Sequence, residues 1–258
     1  MSHIIPTAEP FFIPTKNKKL GCLLVHGFTG APKEMRWMGK YLAENGYTAL
    51  GVRLAGHATR PEEMARSTYT DWLTSVEDGY HILRGTVENV MLVGLSMGGV
   101  LSLLSSTRLE VAGVIALSTP YALRSDPRLK YLRLLSLFTP YMPKDKLPPG
   151  SGWFDQEAWQ GHISYPQNPV RSIAELDQLL AEMRAALPQV RVPTLLIHSR
   201  DDDYVLPENM ERIFNALGAS DKTKLSVMGS GHVVTRDAAR HQVFEAALNF
   251  IRRIEAGL

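Results

Sequence analysis

The sequence predicts one α/β domain, a mostly parallel central sheet flanked by helices and broken by a single long insertion. Three observations predict it. Short apolar runs bounded by turn residues recur along the 258 residues, amphipathic helical stretches alternate with them, and one gap between runs far exceeds the dozen or so residues a crossover needs. A chain of this length commonly stays one domain in α/β folds.

The apolar runs lie at residues 20–25, 47–52, 90–93, 111–117, 194–198 and 224–228 and read as buried strands. Residues 32–44 carry Met35, Met38 and Leu42 on one stripe, with Gly46 as terminator. Residues 207–217 open on Pro207 and close before Gly218, the expected asymmetry of a helix. Residues 236–255 repeat Val243, Ala247, Phe250, Ile251 and Ile254 on one face, which should pack on the sheet. The long gap, of about 70 residues, separates the runs at 111–117 and 194–198. It reads as an inserted cap punctuated by prolines, with room for helices near residues 128–138 and 173–187. The division is therefore a core of residues 1–120 and 191–258 and a cap, or lid, of residues 121–190.

The segment around Gly94-Leu95-Ser96-Met97-Gly98 sits between an apolar β-run and an apolar helix. A strand turning sharply into a helix lifts a serine Oγ clear of the sheet, and residues two before and two after must then be as small as glycine. The alternative is a glycine-rich turn whose serine merely caps the helix. A serine nucleophile needs an imidazole base held in the right tautomer by a carboxylate. Both types follow strands here: Asp201-Asp202-Asp203 follows the run at 194–198, and Ser230-Gly231-His232-Val233 follows the run at 224–228. In a parallel sheet all strand carboxyl ends share one edge, so these loops can meet Ser96. The residues alone leave open which of the three aspartates faces the histidine.

Composition narrows the function classes. The chain is 45% hydrophobic and 21% charged, with a net charge of +2 and its basic residues scattered, so nucleic acid is a poor partner. The lone Cys22 lies inside an apolar run and reads as a small buried hydrophobe. No cluster of metal-ligand type stands out, and no metal or other cofactor is expected. No signal-peptide core or bilayer-length apolar run is present, so a cytoplasmic location is expected.

The residues Leu23-Leu24-Val25-His26-Gly27-Phe28-Thr29-Gly30, Arg53-Leu54-Ala55-Gly56-His57, the elbow at Ser96, the Asp202 loop and Ser230-Gly231-His232-Val233 together resemble a bacterial α/β-hydrolase of the carboxylesterase and monoacylglycerol lipase group. The resemblance spans almost the whole chain and implies the α/β-hydrolase fold. It implies Ser96 as nucleophile, His232 as general base and Asp202 as the residue that orients and charge-stabilises His232. Asp202 is preferred over Asp201 and Asp203 because the family places a small residue three before the acid and a β-branched residue three after, here Ser199 and Val205. Many relatives carry glycine where Ser199 stands. The oxyanion-hole amides would be those of Phe28 and Met97. His26, His57 and His198 are assigned to structure, and His3, His81, His162 and His241 to surface or packing roles.

In the cap, Leu129, Leu132, Leu134, Leu135, Leu137 and Phe138 alternate with Arg128, Lys130 and Arg133. This amphipathic stretch is read first as the roof of an acyl pocket and second as a weak lipid-interface contact. Tyr121, Trp153, Phe154 and Trp159 line the same cavity or belong to ordinary core. The expected activity is hydrolysis of short- to medium-chain acyl esters through an acyl-enzyme on Ser96. A monoacylglycerol lipase is the alternative, and a non-catalytic ligand-binding module is a remote one. A dehalogenase would need a carboxylate at position 96. The expected partner is a small-molecule ester or monoacylglycerol, and the expected state is a monomer or small homo-oligomer.

Overall fold

A computed structural model describes residues 3–144 and 148–258. In chain order, β1 (Phe11–Ile13), β2 (Leu20–Val25), α1 (Lys33–Glu44), β3 (Thr48–Val52), α2 (Pro61–Arg66), α3 (Tyr69–Arg84), β4 (Asn89–Leu95), α4 (Met97–Ser105) and β5 (Gly113–Leu117) form the first part of the fold. The insertion follows with α5 (Leu132–Leu135), β6 (Tyr141–Pro143), α6 (Gln156–Gln160), β7 (Gln167–Pro169) and α7 (Val170–Ala186). The chain then returns to the sheet through β8 (Thr194–Ser199), α8 (Glu208–Ala216), β9 (Lys222–Val227) and α9 (Arg240–Glu255).

Seven strands form the main sheet in the order β1-β3-β2-β4-β5-β8-β9, all parallel except β1, which pairs antiparallel with β3. Every residue of β2, β3, β5 and β8 is buried, as expected of strands covered on both faces. Alternation sorts their side chains: Cys22 and Leu24 pack with Met35, Met38, Phe244 and Ile251 under α1 and α9. Leu23 and Val25 pack with Trp72, Val100 and Met183 under α3, α4 and α7. Each such side chain contributes about 1.5–3 kcal/mol by leaving water. The edge strand β9 instead exposes Thr223, Lys224 and Ser226, and charge on an edge discourages pairing with another sheet.

The register levels the strand ends where the chemistry-bearing loops begin. Val25 pairs with Gly94, so the turn after β2 lies beside the turn after β4. Ser199 pairs with Val227, so the loops carrying Asp202 and His232 leave the sheet side by side.

Several elements depart from the sequence expectation. The amphipathic stretch at 128–138 is not one helix but a 3-10 turn over Pro127–Tyr131 followed by the four residues of α5. Asp126 caps the first piece, and the backbone of Tyr131 (φ −117°, ψ 9°) leaves helical geometry between the two. Within this stretch only Leu132 is buried, while Leu134, Leu137 and Phe138 are exposed. The final helix begins at Arg240 rather than residue 236, because residues 233–239 turn to let Asp237 accept backbone N–H bonds from Gly231, Phe154, Asp155 and Ala238. The insertion is not detached from the core, since Leu176, Leu179, Leu180 and Met183 of α7 share a cluster with Leu92 and Val100. Among the described residues no helix is long and apolar enough to cross a membrane. Cys22 is buried and free, and burial pushes its thiol up to about 12.

Candidate active site

Ser96 joins β4 to α4 with φ 54° and ψ −119°, a conformation that side-chain-bearing residues rarely adopt. The strain is held by its surroundings: Ser96 N–H donates to Leu117 O at 2.7 Å, and Gly99 N–H returns to Ser96 O at 2.9 Å. The flanking glycines are obligatory for close approach. A Cβ on Gly94 would stand 2.1 Å from Gly98 O, and one on Gly98 would stand 2.1 Å from Val25 O. Backbone therefore meets backbone on both sides of the serine.

His232 Nε2 lies 3.0 Å from Ser96 Oγ, and His232 Nδ1 lies 2.8 Å from Asp202 Oδ2. An ionised carboxylate only accepts, so Nδ1 carries the ring proton, and Nε2 is left to accept from the serine hydroxyl. Asp202 is fixed in turn, because its Oδ1 accepts the N–H groups of Tyr204 and Val205 at 3.0 and 2.9 Å. Asp201 turns elsewhere and accepts Gly229 N–H at 2.7 Å. Burial pushes the Asp202 carboxyl up, but His232 and the hydrogen bonds of His198 and His232 outweigh it and hold the group well below the usual carboxylate range. Burial pulls His232 down, but the charge and hydrogen bond of Asp202, with Glu34 and Asp203, raise it above the ordinary imidazole value.

The turn after β2 brings Phe28 to the same place, and Phe28 and Met97 border a cavity with Ser96. The peptide between Gly27 and Phe28 is held through its carbonyl, because Gly27 O accepts His26 Nδ1–H at 2.9 Å and Gly30 N–H at 3.2 Å. In a trans peptide the N–H points opposite to that carbonyl, so the direction of Phe28 N–H is set. The His26 tautomer is settled by Leu54 N–H, which donates to Nε2 at 3.2 Å and leaves the ring proton on Nδ1. Burial beside His57 keeps His26 well below its ordinary value, and burial lowers His57 to about 4. His26 and His57 are thus neutral framework residues.

Two cavities border Ser96. The larger, of about 580 Å³, is lined by Phe28, Met97, Pro120, Leu123, Leu176 and Leu206 among others. Leu134, Leu137 and Phe138 are not among its lining residues, contrary to the expected roof. The smaller, of about 320 Å³, holds polar groups near Ser96 and His232: Thr29, Glu34, Lys144, His162 and Ser164, with Trp153 and Trp159. Tyr121 lies instead beneath the guanidinium groups of Arg184 and Arg212, and Phe154 is exposed.

Three residues in or beside the site escaped sequence reasoning. His162, expected in a surface or packing role, has its Nε2 3.8 Å from Glu34 Oε1 inside the smaller cavity. Lys144 Nζ donates to Thr29 Oγ1 and Ser164 Oγ at 2.7 and 3.0 Å, and burial lowers its pKa to about 8. Glu34 had a visible signal: it shares the apolar stripe of α1 with Met38 and Leu42, where a carboxylate is out of place. Nothing in the local sequence of the insertion marks His162 or Lys144.

Comparison with known proteins gives the family of the chain. The family described as serine aminopeptidase, S33, matches residues 16–239. A thermostable monoacylglycerol lipase of Bacillus sp. (strain H-257) is 31% identical over 251 residues, covering 97% of this chain and 96% of its own length. A carboxylesterase of Bacillus subtilis (strain 168) is 28% identical over 252 residues, covering 97% and 99%. A solved structure from work on the metagenome-derived lipolytic enzymes LipS and LipT superposes with a TM-score of 0.87 at 32% identity, covering 97% of this chain and 100% of that one. The chain belongs to the serine aminopeptidase S33 family of α/β-hydrolases, within its bacterial esterase and lipase group.

Proposed function

We propose that the protein is a carboxylic-ester hydrolase that cleaves short- to medium-chain acyl esters through an acyl-enzyme on Ser96. The observation that carries this reading is the unbroken hydrogen-bond chain from Ser96 Oγ through His232 to Asp202. His232 Nε2 takes the Ser96 proton as Oγ attacks the ester carbonyl. The N–H groups of Phe28 and Met97 receive the developing oxyanion, and His232 returns the proton to the leaving alcohol. Water, activated by the same imidazole, then releases the acid. Asp202 remains ionised and stabilises the imidazolium formed at each step.

Residues 121–190 act as a cap over this centre, their last helix embedded in the core. The larger, leucine-bearing cavity suits the acyl chain. The smaller cavity suits the alcohol, and its hydroxyl, ammonium and carboxyl groups favour a second reading, a monoacylglycerol lipase whose leaving group is glycerol. The Bacillus relative bearing that name supports it as well. Turnover of monoacylglycerols compared with alkyl esters of equal acyl length separates the two. Comparable rates support the general esterase, and a strong chain-matched preference for glycerides supports the lipase.

A further inference from the structure

Glu34 is a carboxylate that the steps above do not use. It is only 5% exposed and lines the smaller cavity together with Ser96 and His232. Its Oε2 accepts the Gly27 N–H at 2.8 Å. Gly27 thereby has both of its peptide groups tied, one by Glu34 and the other by His26, and the second carries Phe28 N–H. The turn closes around the carboxylate. A Cβ on Gly27 would stand 3.3 Å from Glu34 Oε2 and 3.5 Å from Ser96 Cβ, and a Cβ on Gly30 would stand 2.2 Å from Glu34 Oε1. The backbone of Glu34 is anchored as well, since its carbonyl accepts Thr235 Oγ1–H at 2.7 Å, three residues beyond His232. Glu34 therefore touches both loops that must be aligned around Ser96.

We infer that Glu34 is a positioning residue for the oxyanion hole: its ionised carboxylate clamps Gly27 N–H and so aims Phe28 N–H at the substrate carbonyl, and its protonation loosens that clamp. The inference rests on the proposed role of Phe28 as an oxyanion donor. An ionised acceptor forms the shorter and stronger bond to an N–H, so the charge state of Glu34 matters to the turn.

Burial and the groups around Glu34 set its titration in opposite directions. Burial pushes the carboxyl up to about 7, against the opposing pull of Gly27 N–H, His232, Lys144 and Arg236. From the insertion, burial lowers His162 to about 3, so that ring is neutral while Glu34 titrates. Burial lowers Lys144 to about 8 with Glu34 opposing the change, so the ammonium persists through most of the Glu34 transition. From the loop after β9, His232 is raised and Arg236 is lowered by burial. Glu34 is thus a buried carboxylate of this cluster whose charge changes near neutrality.

The test is the pH dependence of kcat and KM for an uncharged ester in wild type, Glu34→Gln and Glu34→Met. Glutamine retains an acceptor for Gly27 without a titrating proton, whereas methionine retains neither. In wild type the acid limb should be steeper than one proton, and in Glu34→Gln it should fall to one proton and shift to lower pH. Glu34→Gln, a neutral acceptor that stands for the protonated acid, should lower the alkaline kcat plateau roughly tenfold, and Glu34→Met should lower it roughly 100-fold, each with little change in KM, as for a weakened oxyanion donor. A Glu34→Gln enzyme whose alkaline kcat plateau equals that of wild type overturns the inference, as does a Glu34→Met enzyme as fast as Glu34→Gln. If Glu34→Met fails to fold, the Glu34→Gln profile alone decides. Phosphonate labelling of wild-type Ser96, run in parallel, separates failure of this inference from failure of the serine mechanism.

Discussion

His198 Nε2 lies 3.2 Å from Asp202 Oδ2, the same carboxylate oxygen that faces His232 Nδ1 at 2.8 Å. His198 Nε2 also approaches Val205 O at 2.8 Å, and a carbonyl can only accept, so this nitrogen carries a proton and is shared between the two oxygens. A strand residue thus braces the aspartate from behind. Replacing His198 with Ala should cost about 1–3 kcal/mol of stability through the unpaired groups left behind. A loss of about 1.4 kcal/mol in the transition state corresponds to about tenfold in kcat. Chemical denaturation and steady-state kinetics of the variant check both figures, and His198→Gln, which can still donate, should recover part of each.

Two of the three consecutive aspartates should separate sharply on mutation. Asp202→Asn places an amide opposite His232 Nδ1 and favours the wrong tautomer, an effect of about 10⁴-fold in kcat where it has been characterised. Asp201→Asn still offers an acceptor to Gly229 N–H and should stay within about fivefold of wild type, because that bond lies outside the proton relay. Equal losses in the two variants would contradict the assignment.

Activity should rise with pH through the titration of His232. The neutral imidazole is the proposed base, and Asp202 raises the His232 pKa once burial is overcome, so the midpoint should lie above the ordinary imidazole value. An acid limb centred below that value would argue against the His232–Asp202 coupling.

Folding stability should fall on acidification below about pH 6.5, the ordinary histidine value. Burial lowers His57 to about 4, so the unfolded chain binds a proton there that the folded chain refuses. Stability is therefore complete above the unfolded value and is lost as pH falls toward the folded one. This single group contributes a slope of about 1.4 kcal/mol per pH unit and a total of about 3 kcal/mol. Denaturant titrations at pH 6 and 4.5 should show a shallower slope for His57→Asn, which keeps a donor for Ala55 O.

Asp237 should prove structurally demanding although it takes no part in the chemistry. Its buried carboxylate accepts N–H bonds from Gly231 in the histidine loop and from Phe154 and Asp155 in the insertion. Asp237→Ala strands these donors, and roughly 2–4 kcal/mol of stability should be lost. Thermal unfolding measures that loss, and a limited-proteolysis cut near Phe154 would report release of the insertion.

Much of this arrangement was legible in the sequence because parallel strands announce themselves as apolar runs and their loops share one edge. Six of the seven sheet strands were visible in this way, and β1 escaped because three residues carry no period. Helix α3 lies outside the sequence expectation although Trp72, Val76, Tyr80 and Leu83 repeat at helical spacing. The elbow was readable from its glycines, whereas the choice among three aspartates needed the family pattern. The insertion was least legible: its prolines mark breaks but not how Lys144 and His162 fold back onto Thr29 and Glu34. Contacts between segments more than 100 residues apart leave no local trace.

The proposed mechanism makes Ser96 a nucleophile activated by His232. Treating folded wild-type protein with a serine-directed phosphonate and mapping the adduct by peptide mass spectrometry tests it most directly. One stoichiometric adduct on Ser96 is expected, with loss of ester hydrolysis in step with labelling and strongly slowed labelling in His232→Ala. An active protein that forms no adduct on Ser96, or that labels equally fast without His232, would contradict it.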